Sequence, residues 1–206
     1  MMNWLKEQNR LTKEFIRGDF YPQLWMSAVA FAVLMVLGFV LGYFMEDLAA
    51  SFVGFFVQQM SGSGVMEQDG TIHLPALLLN NLRASLFTIG YGLIPFLHLP
   101  ALSLGINSLL MGFMAAYYLT NGMSMLFFFA AIIPHGIFEI PALVYSIAMG
   151  LYLCRTITTF VRHNTKGIVH KAQYDILRVF ALRAVPLFII ASVIETYVTP
   201  WIVSFI

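Results

Sequence analysis

Long apolar runs separated by short polar ones dominate the chain, and they predict membrane-crossing helices. The first run spans residues 23–45, from Gln23 to Met45, after a polar stretch of about 22 residues. It is too long for a signal-peptide core and no small-residue cleavage site follows it, so it reads as an uncleaved span. The second, 75–97, carries Asn80, Asn81 and Arg83. The third, 99–120, ends at the turn signal Thr120-Asn121-Gly122. The fourth, 124–153, would extend ~45 Å at ~1.5 Å per residue, against a hydrocarbon core of ~30 Å. It contains Pro134, Gly136 and Pro141, so a tilted, kinked or broken helix is expected. The fifth covers residues 184–206. Between the spans, Leu48 to Met60 reads as an amphipathic helix lying along the interface. Residues 61–73 read as a flexible polar loop. Residues 154–183 are basic with short apolar clusters such as Ile176, Leu177, Val179 and Phe180, and look interfacial too.

Composition agrees with this pattern. Hydrophobic residues make up 60% of the 206 and charged ones 10%, where soluble domains average roughly 45–50% and 25%. A soluble domain of this size must show much of its surface to water and could not hide so much apolar area. Disorder is excluded by the same numbers. Strand-like alternation is absent, which favours helices over a barrel. The expected fold is an all-α polytopic membrane protein: one integral membrane domain, residues 1–206, with five spans, a broken or kinked fourth span, interfacial helices, and the lipid bilayer as its first partner. A net charge of +1 gives no reason to expect nucleic acid. The single Cys154 excludes an internal disulfide and any cysteine-cluster metal site.

Orientation follows from Lys and Arg. Lys6, Arg10, Lys13 and Arg17 precede the first span. Arg155, Arg162, Lys166, Lys171, Arg178 and Arg183 lie between the fourth and fifth. Four spans separate the two regions, so both fall on one side, the cytosol. Glu46, Asp47, Glu67 and Asp69 follow the first span and face out, as does the C-terminus. The expected location is the cell membrane, multi-pass.

Ionisable groups at membrane depth cost a few kcal/mol or more, so each needs a reason. Arg83 lies ~12 Å below the outer start of its span, His135 ~16 Å below that of the fourth, and Glu195 ~16 Å from the outer chain end. Glu139 is one turn deeper than His135. Asn80, Asn81 and Asn107 add amides nearby. A structural reading pairs Arg83 with Glu139 or Glu195. A functional reading makes the layer a proton, ion or substrate site, because two carboxylates face one Arg. His135 and Glu139, at i, i+4, share a helix face and have the spacing of two metal ligands, with Glu195 as a candidate third. Pro134 suits the start of a half-helix, as in transporters with broken helices. His98, in the inner turn between Pro95 and Pro100, reads as an interfacial side chain. No Gly-rich phosphate loop and no specific nucleophile motif is present, and no organic cofactor is expected. Gly38 and Gly42, then Ser108, Gly112 and Ala116, allow close helix approach, either within the chain or in a homo-oligomer through the Gly38/Gly42 face.

Several of these elements together resemble the stage II sporulation protein M family. They are Asn80-Asn81, Gly105-x-Asn107 with Gly112, Pro134-His135-Gly136-x-x-Glu139, and Ile194-Glu195 followed by Val198-Thr199-Pro200. The resemblance covers roughly residues 20–206 and implies five spans with a cytosolic N-terminus. It also implies a non-enzymatic scaffold for cell-envelope remodelling, as in endospore engulfment, where the family's namesake holds stage II sporulation proteins D and P. The residues alone keep two other readings open. One is an ion- or proton-coupled transporter or channel using His135, Glu139, Glu195 and Arg83. The other is an intramembrane, metal-dependent enzyme.

Overall fold

Proline placement sets where three of the helices start. Pro22, Pro75 and Pro100 each fall in the first turn of a helix, where a missing N–H costs nothing. The computed structural model describes residues 2–62, 64–65 and 72–206, and their side chains apart from those of 2, 60 and 61. Glu67, Asp69 and most of the 61–73 loop lie outside the described residues. The elements are α1 (Met2–Arg17), α2 (Tyr21–Phe44), α3 (Glu46–Gly62), α4 (Leu74–Tyr91), α5 (Pro100–Thr120), α6 (Met125–His163), α7 (Ile168–Val179), α8 (Val185–Val193) and α9 (Thr199–Val203). Two π-helical turns, Phe180–Ala184 and Ile194–Val198, join the last three into one path. The all-helical expectation holds for the described residues.

Four helical stretches are long and apolar enough to cross a membrane: α2, α5, α6 and the path Ile168–Val203. The span expected over 75–97 is shorter and more polar. It is α4, which ends at Tyr91, and the chain then turns through Gly92–Leu99 with Phe96 and His98 in the left-handed region. α6 holds this turn in place. The Phe96 amide donates to Thr158 Oγ1 (3.0 Å), the Cys154 thiol donates to the Ile94 carbonyl (3.3 Å), and the Arg162 guanidinium lies over the Phe96 ring.

Of the tilted, kinked or broken helix expected for the fourth span, the break does not occur. α6 runs without interruption for 39 residues, from its Ser124 cap to the left-handed Asn164. Each internal proline removes one hydrogen bond, freeing the carbonyls of Ala130 and Ile137, and the rest of the ladder is kept. Residues 154–163, expected at the interface, simply continue this helix. The fifth run likewise begins earlier than expected, at Ile168 rather than residue 184. Here the prolines do disturb the helix. Pro186 and Pro200 each follow a turn closed by an i→i−5 bond: Val185 N to Phe180 O, and Thr199 N to Ile194 O. The carbonyl of Leu182, which Pro186 cannot use, accepts instead from Arg183 Nη1 at 3.0 Å.

The polar N-terminal stretch, for which no helix was expected, forms α1. Its Arg10 pairs with Glu7 and Glu14 along one exposed edge and holds the Glu7 carboxyl below the usual carboxylate range. Phe15, on its other side, stacks on Phe20 at 5.3 Å and meets Tyr152 edge-on at 5.1 Å. These rings belong to a buried cluster with Met149, Leu153, Ile176, Val179 and Phe188 that joins α1 to α6, α7 and α8. A second cluster, Phe31, Leu104, Val144, Ile147 and Leu151, joins α2, α5 and α6. Asn9 of α1 accepts from Arg183 Nη2 at 3.0 Å.

Small residues let backbones touch at two seams. A Cβ on Gly38 would sit 2.6 Å from the Leu109 carbonyl oxygen, and one on Gly112 would collide with the Met35 carbonyl. The Gly38/Gly42 face is therefore filled by α5 of the same chain and is not available to a second copy. At the other seam a Cβ on Gly150 would lie 2.6 Å from the Thr88 carbonyl and 2.8 Å from the Pro100 ring. Hydroxyls stitch this seam: Ser85 and Ser146 share a 2.5 Å hydrogen bond, and Thr88 and Ser103 one of 2.9 Å. α3 packs against α5 through its Phe52 ring, 4.8 Å from that of Phe113, while Phe55 stays exposed.

Gly112→Leu should destabilise the protein by about 3 kcal/mol or more, since the obstacle is backbone that cannot move aside. Gly54→Ala, with open space around its Cα, should be neutral or mildly stabilising. Thermal unfolding in detergent measures both.

Candidate functional site

His135 and Glu139 project from the same face of α6 because four residues is close to one helical turn. Their nearest ionic atoms, His135 Nε2 and Glu139 Oε2, are 3.7 Å apart, too far for a hydrogen bond but within ion-pair range. Both are mostly buried, with 13% and 24% of their side chains exposed. Opposite them, the π-helical turn Ile194–Val198 presents Glu195. One donor atom from each of the three residues lies within 4.8 Å of the others. Immediately after the turn, Thr199 Oγ1 sits 3.5 Å from His135 Nδ1. Thr196, one residue beyond Glu195, has a buried hydroxyl with no partner among the described residues.

Three of the seven residues expected in the polar layer therefore form one site, and four do not. Arg83 was expected to neutralise Glu139 or Glu195. Instead it is exposed on α4 and pairs with neither. The reason is helical phase: the buried face of α4 is the one carrying Leu77, Ser85 and Thr88, and Arg83 falls off it. Asn80 is also exposed. Asn81 is half-buried, and its Nδ2 finds no partner among the described residues. Asn107 turns back on its own helix, donating to the Ser103 carbonyl at 2.8 Å. The contacts that actually tie α4 to its neighbours are hydroxyl pairs, which the search for ionisable residues passed over. Their signal was the placement of Ser85, Thr88, Ser103 and Ser146 inside apolar runs.

The site thus holds two carboxylates and one imidazole, with no lysine or arginine paired to them among the described residues. Such a set can share protons or hold a cation. Beside it, an apolar groove of about 560 Å³ opens between α2, α5 and α6, lined by Met35, Phe39, Met111, Phe128, Ile132 and Pro141 among others. Gly136 lines it, but neither His135 nor Glu139 does. At the other end of α6, a recess of about 320 Å³ collects His98, Arg155, Thr158, Arg162 and His163.

An α-helical membrane protein with a half-buried His-Glu-Glu site between two long helices is the class these features define. The chain belongs to the stage II sporulation protein M family, whose model it matches over residues 27–200. It is also 32% identical over 140 residues to an uncharacterized protein of Methanocaldococcus jannaschii, covering 65% of this chain and 75% of that one. No solved structure matches the chain.

Because Arg83 and Glu195 do not touch, Arg83→Gln and Glu195→Gln should have additive effects on unfolding free energy, within about 0.5 kcal/mol. A coupling of about 1 kcal/mol or more in a double-mutant cycle would restore the pairing expected from sequence.

Proposed function

We propose that the protein is a non-enzymatic membrane scaffold that holds peptidoglycan-remodelling partners at the cell envelope, as stage II sporulation proteins D and P would be held in engulfment. Family membership over residues 27–200 is the observation that carries this reading. The packing is compatible with it. Backbones meet directly at the α2–α5 and α4–α6 seams, which suits a rigid platform. On α2, Val29, Val33, Val36 and Val40 form an exposed stripe at helical spacing, a face for lipid or for a partner's span. In this reading α4 crosses as a fifth span, the N-terminus is cytosolic and the C-terminus lies outside. Self-association, if it accompanies the scaffold, uses a face other than Gly38/Gly42.

One observation favours a second reading, a proton- or ion-coupled transporter: the two carboxylates of the site lack a permanent cationic partner among the described residues. Two measurements separate the readings. Tagged chain purified from membranes that also contain sporulation proteins D and P should retain both under mild detergent, and proteoliposomes of the chain alone should pass no protons. Absence of both partners together with a proton flux abolished by Glu195→Gln would contradict the scaffold and support transport. Reporter fusions at the two ends should report the N-terminus inside and the C-terminus outside. A cytosolic C-terminal signal would sink the five-span topology.

A further inference from the structure

We propose that His135, Glu139 and Glu195 bind a divalent first-row transition-metal ion within the membrane-spanning part of the protein. This rests on the geometry of the site and is independent of the scaffold reading.

The donor set comes from two different elements, the middle of α6 and the π-helical turn Ile194–Val198. At metal–ligand bonds of ~2.0–2.2 Å, two ligands of a tetrahedral ion stand about 3.4 Å apart. His135 Nε2 and Glu139 Oε2 are already 3.7 Å apart. One donor atom of each of the three residues lies within 4.8 Å of the others, so a rotamer adjustment of roughly 1–1.5 Å at the end of a Glu side chain closes the set. One imidazole and two carboxylates suit borderline Zn²⁺ and the harder Mn²⁺, and three protein ligands leave a coordination position open.

No lysine or arginine is paired with the three side chains among the described residues, and Arg83, the permanent cation expected in this layer, is exposed on α4.

The surroundings fit a ligating histidine. A ligating imidazole normally engages its second ring nitrogen with a nearby oxygen, which fixes the ring. His135 faces Glu139 through Nε2, while its Nδ1 lies 3.5 Å from Thr199 Oγ1. Thr199 is 8% exposed and follows the π-helical turn directly, so the turn that carries Glu195 also places the threonine behind the ring. Thr199 is thus a positioning residue rather than a ligand. The unpartnered Thr196 hydroxyl adds a polar atom in the same turn.

The test uses the full chain in detergent, purified through a tag free of histidine and stripped with a chelator. Titration with Zn²⁺ and with Mn²⁺ is followed by calorimetry, by metal analysis after desalting, and by thermal unfolding. The expected result is one ion per chain and a raised unfolding temperature. Glu195→Gln, nearly isosteric, should weaken binding at least 100-fold, and Thr199→Val about 10-fold or more. Wild-type protein that retains neither metal and shows no thermal shift overturns the proposal. So does Glu195→Gln protein that binds as tightly as wild type, or a response confined to Mg²⁺ or Ca²⁺. If Glu195→Gln fails to fold, the Co²⁺ spectrum of the wild type decides. Bands of an oxygen- and nitrogen-ligated ion support the site, and a thiolate band, which only Cys154 could supply, rejects it.

Discussion

Lipid does not solvate charge, and the placement of three ionisable side chains follows from that constraint. Alone on a membrane-exposed surface, each of His135, Glu139 and Glu195 would cost several kcal/mol. Together, between α6 and the C-terminal helical path, they shelter one another and fix which faces of those two helices meet. The prolines serve the same arrangement in opposite ways. Pro134 and Pro141 leave α6 continuous, so that His135 and Glu139 stay one turn apart. Pro186 and Pro200 follow widened turns, and one of these carries Glu195.

Packing away from the site relies on removing side chains rather than adding polar ones. Gly38, Gly112 and Gly150 let helices approach until backbone meets backbone. In lipid, where no hydrophobic force drives helices together, dispersion across such close contacts is a main source of attraction. The hydroxyl pairs Ser85–Ser146 and Thr88–Ser103 supply modest added strength, typically about 0.6 kcal/mol each for hydrogen bonds of this kind. They also bring no charge to be neutralised.

The helical class, the four longest membrane-length stretches and the His135–Glu139–Glu195 grouping were all legible in the chain. Hydropathy and the i, i+4 spacing report directly on those features. Less legible was everything decided by helical phase or by local carbonyl satisfaction. Depth along a span says nothing about azimuth, so Arg83 and Asn80 were grouped with residues from which they face away. Proline was read as a breaker in α6, where neighbouring turns absorb it. The π-helical turns went unforeseen near residues 180–198, where Pro186 and Pro200 stood as their only sequence signs. The helix α1 was missed because its stretch is polar on average, although Trp4, Leu11 and Phe15 recur at helical spacing and mark an amphipathic helix.

The central claim is that α6 and the C-terminal path meet at His135, Glu139 and Glu195, with Arg83 elsewhere. Thiol cross-linking in intact membranes, in a Cys154→Ser background and with a short bifunctional reagent that spans the gap left by the two long side chains, tests it most directly. His135→Cys paired with Glu195→Cys should be joined within one chain in high yield, and Arg83→Cys paired with Glu195→Cys should not. Efficient joining of positions 83 and 195, with none between 135 and 195, would contradict the account.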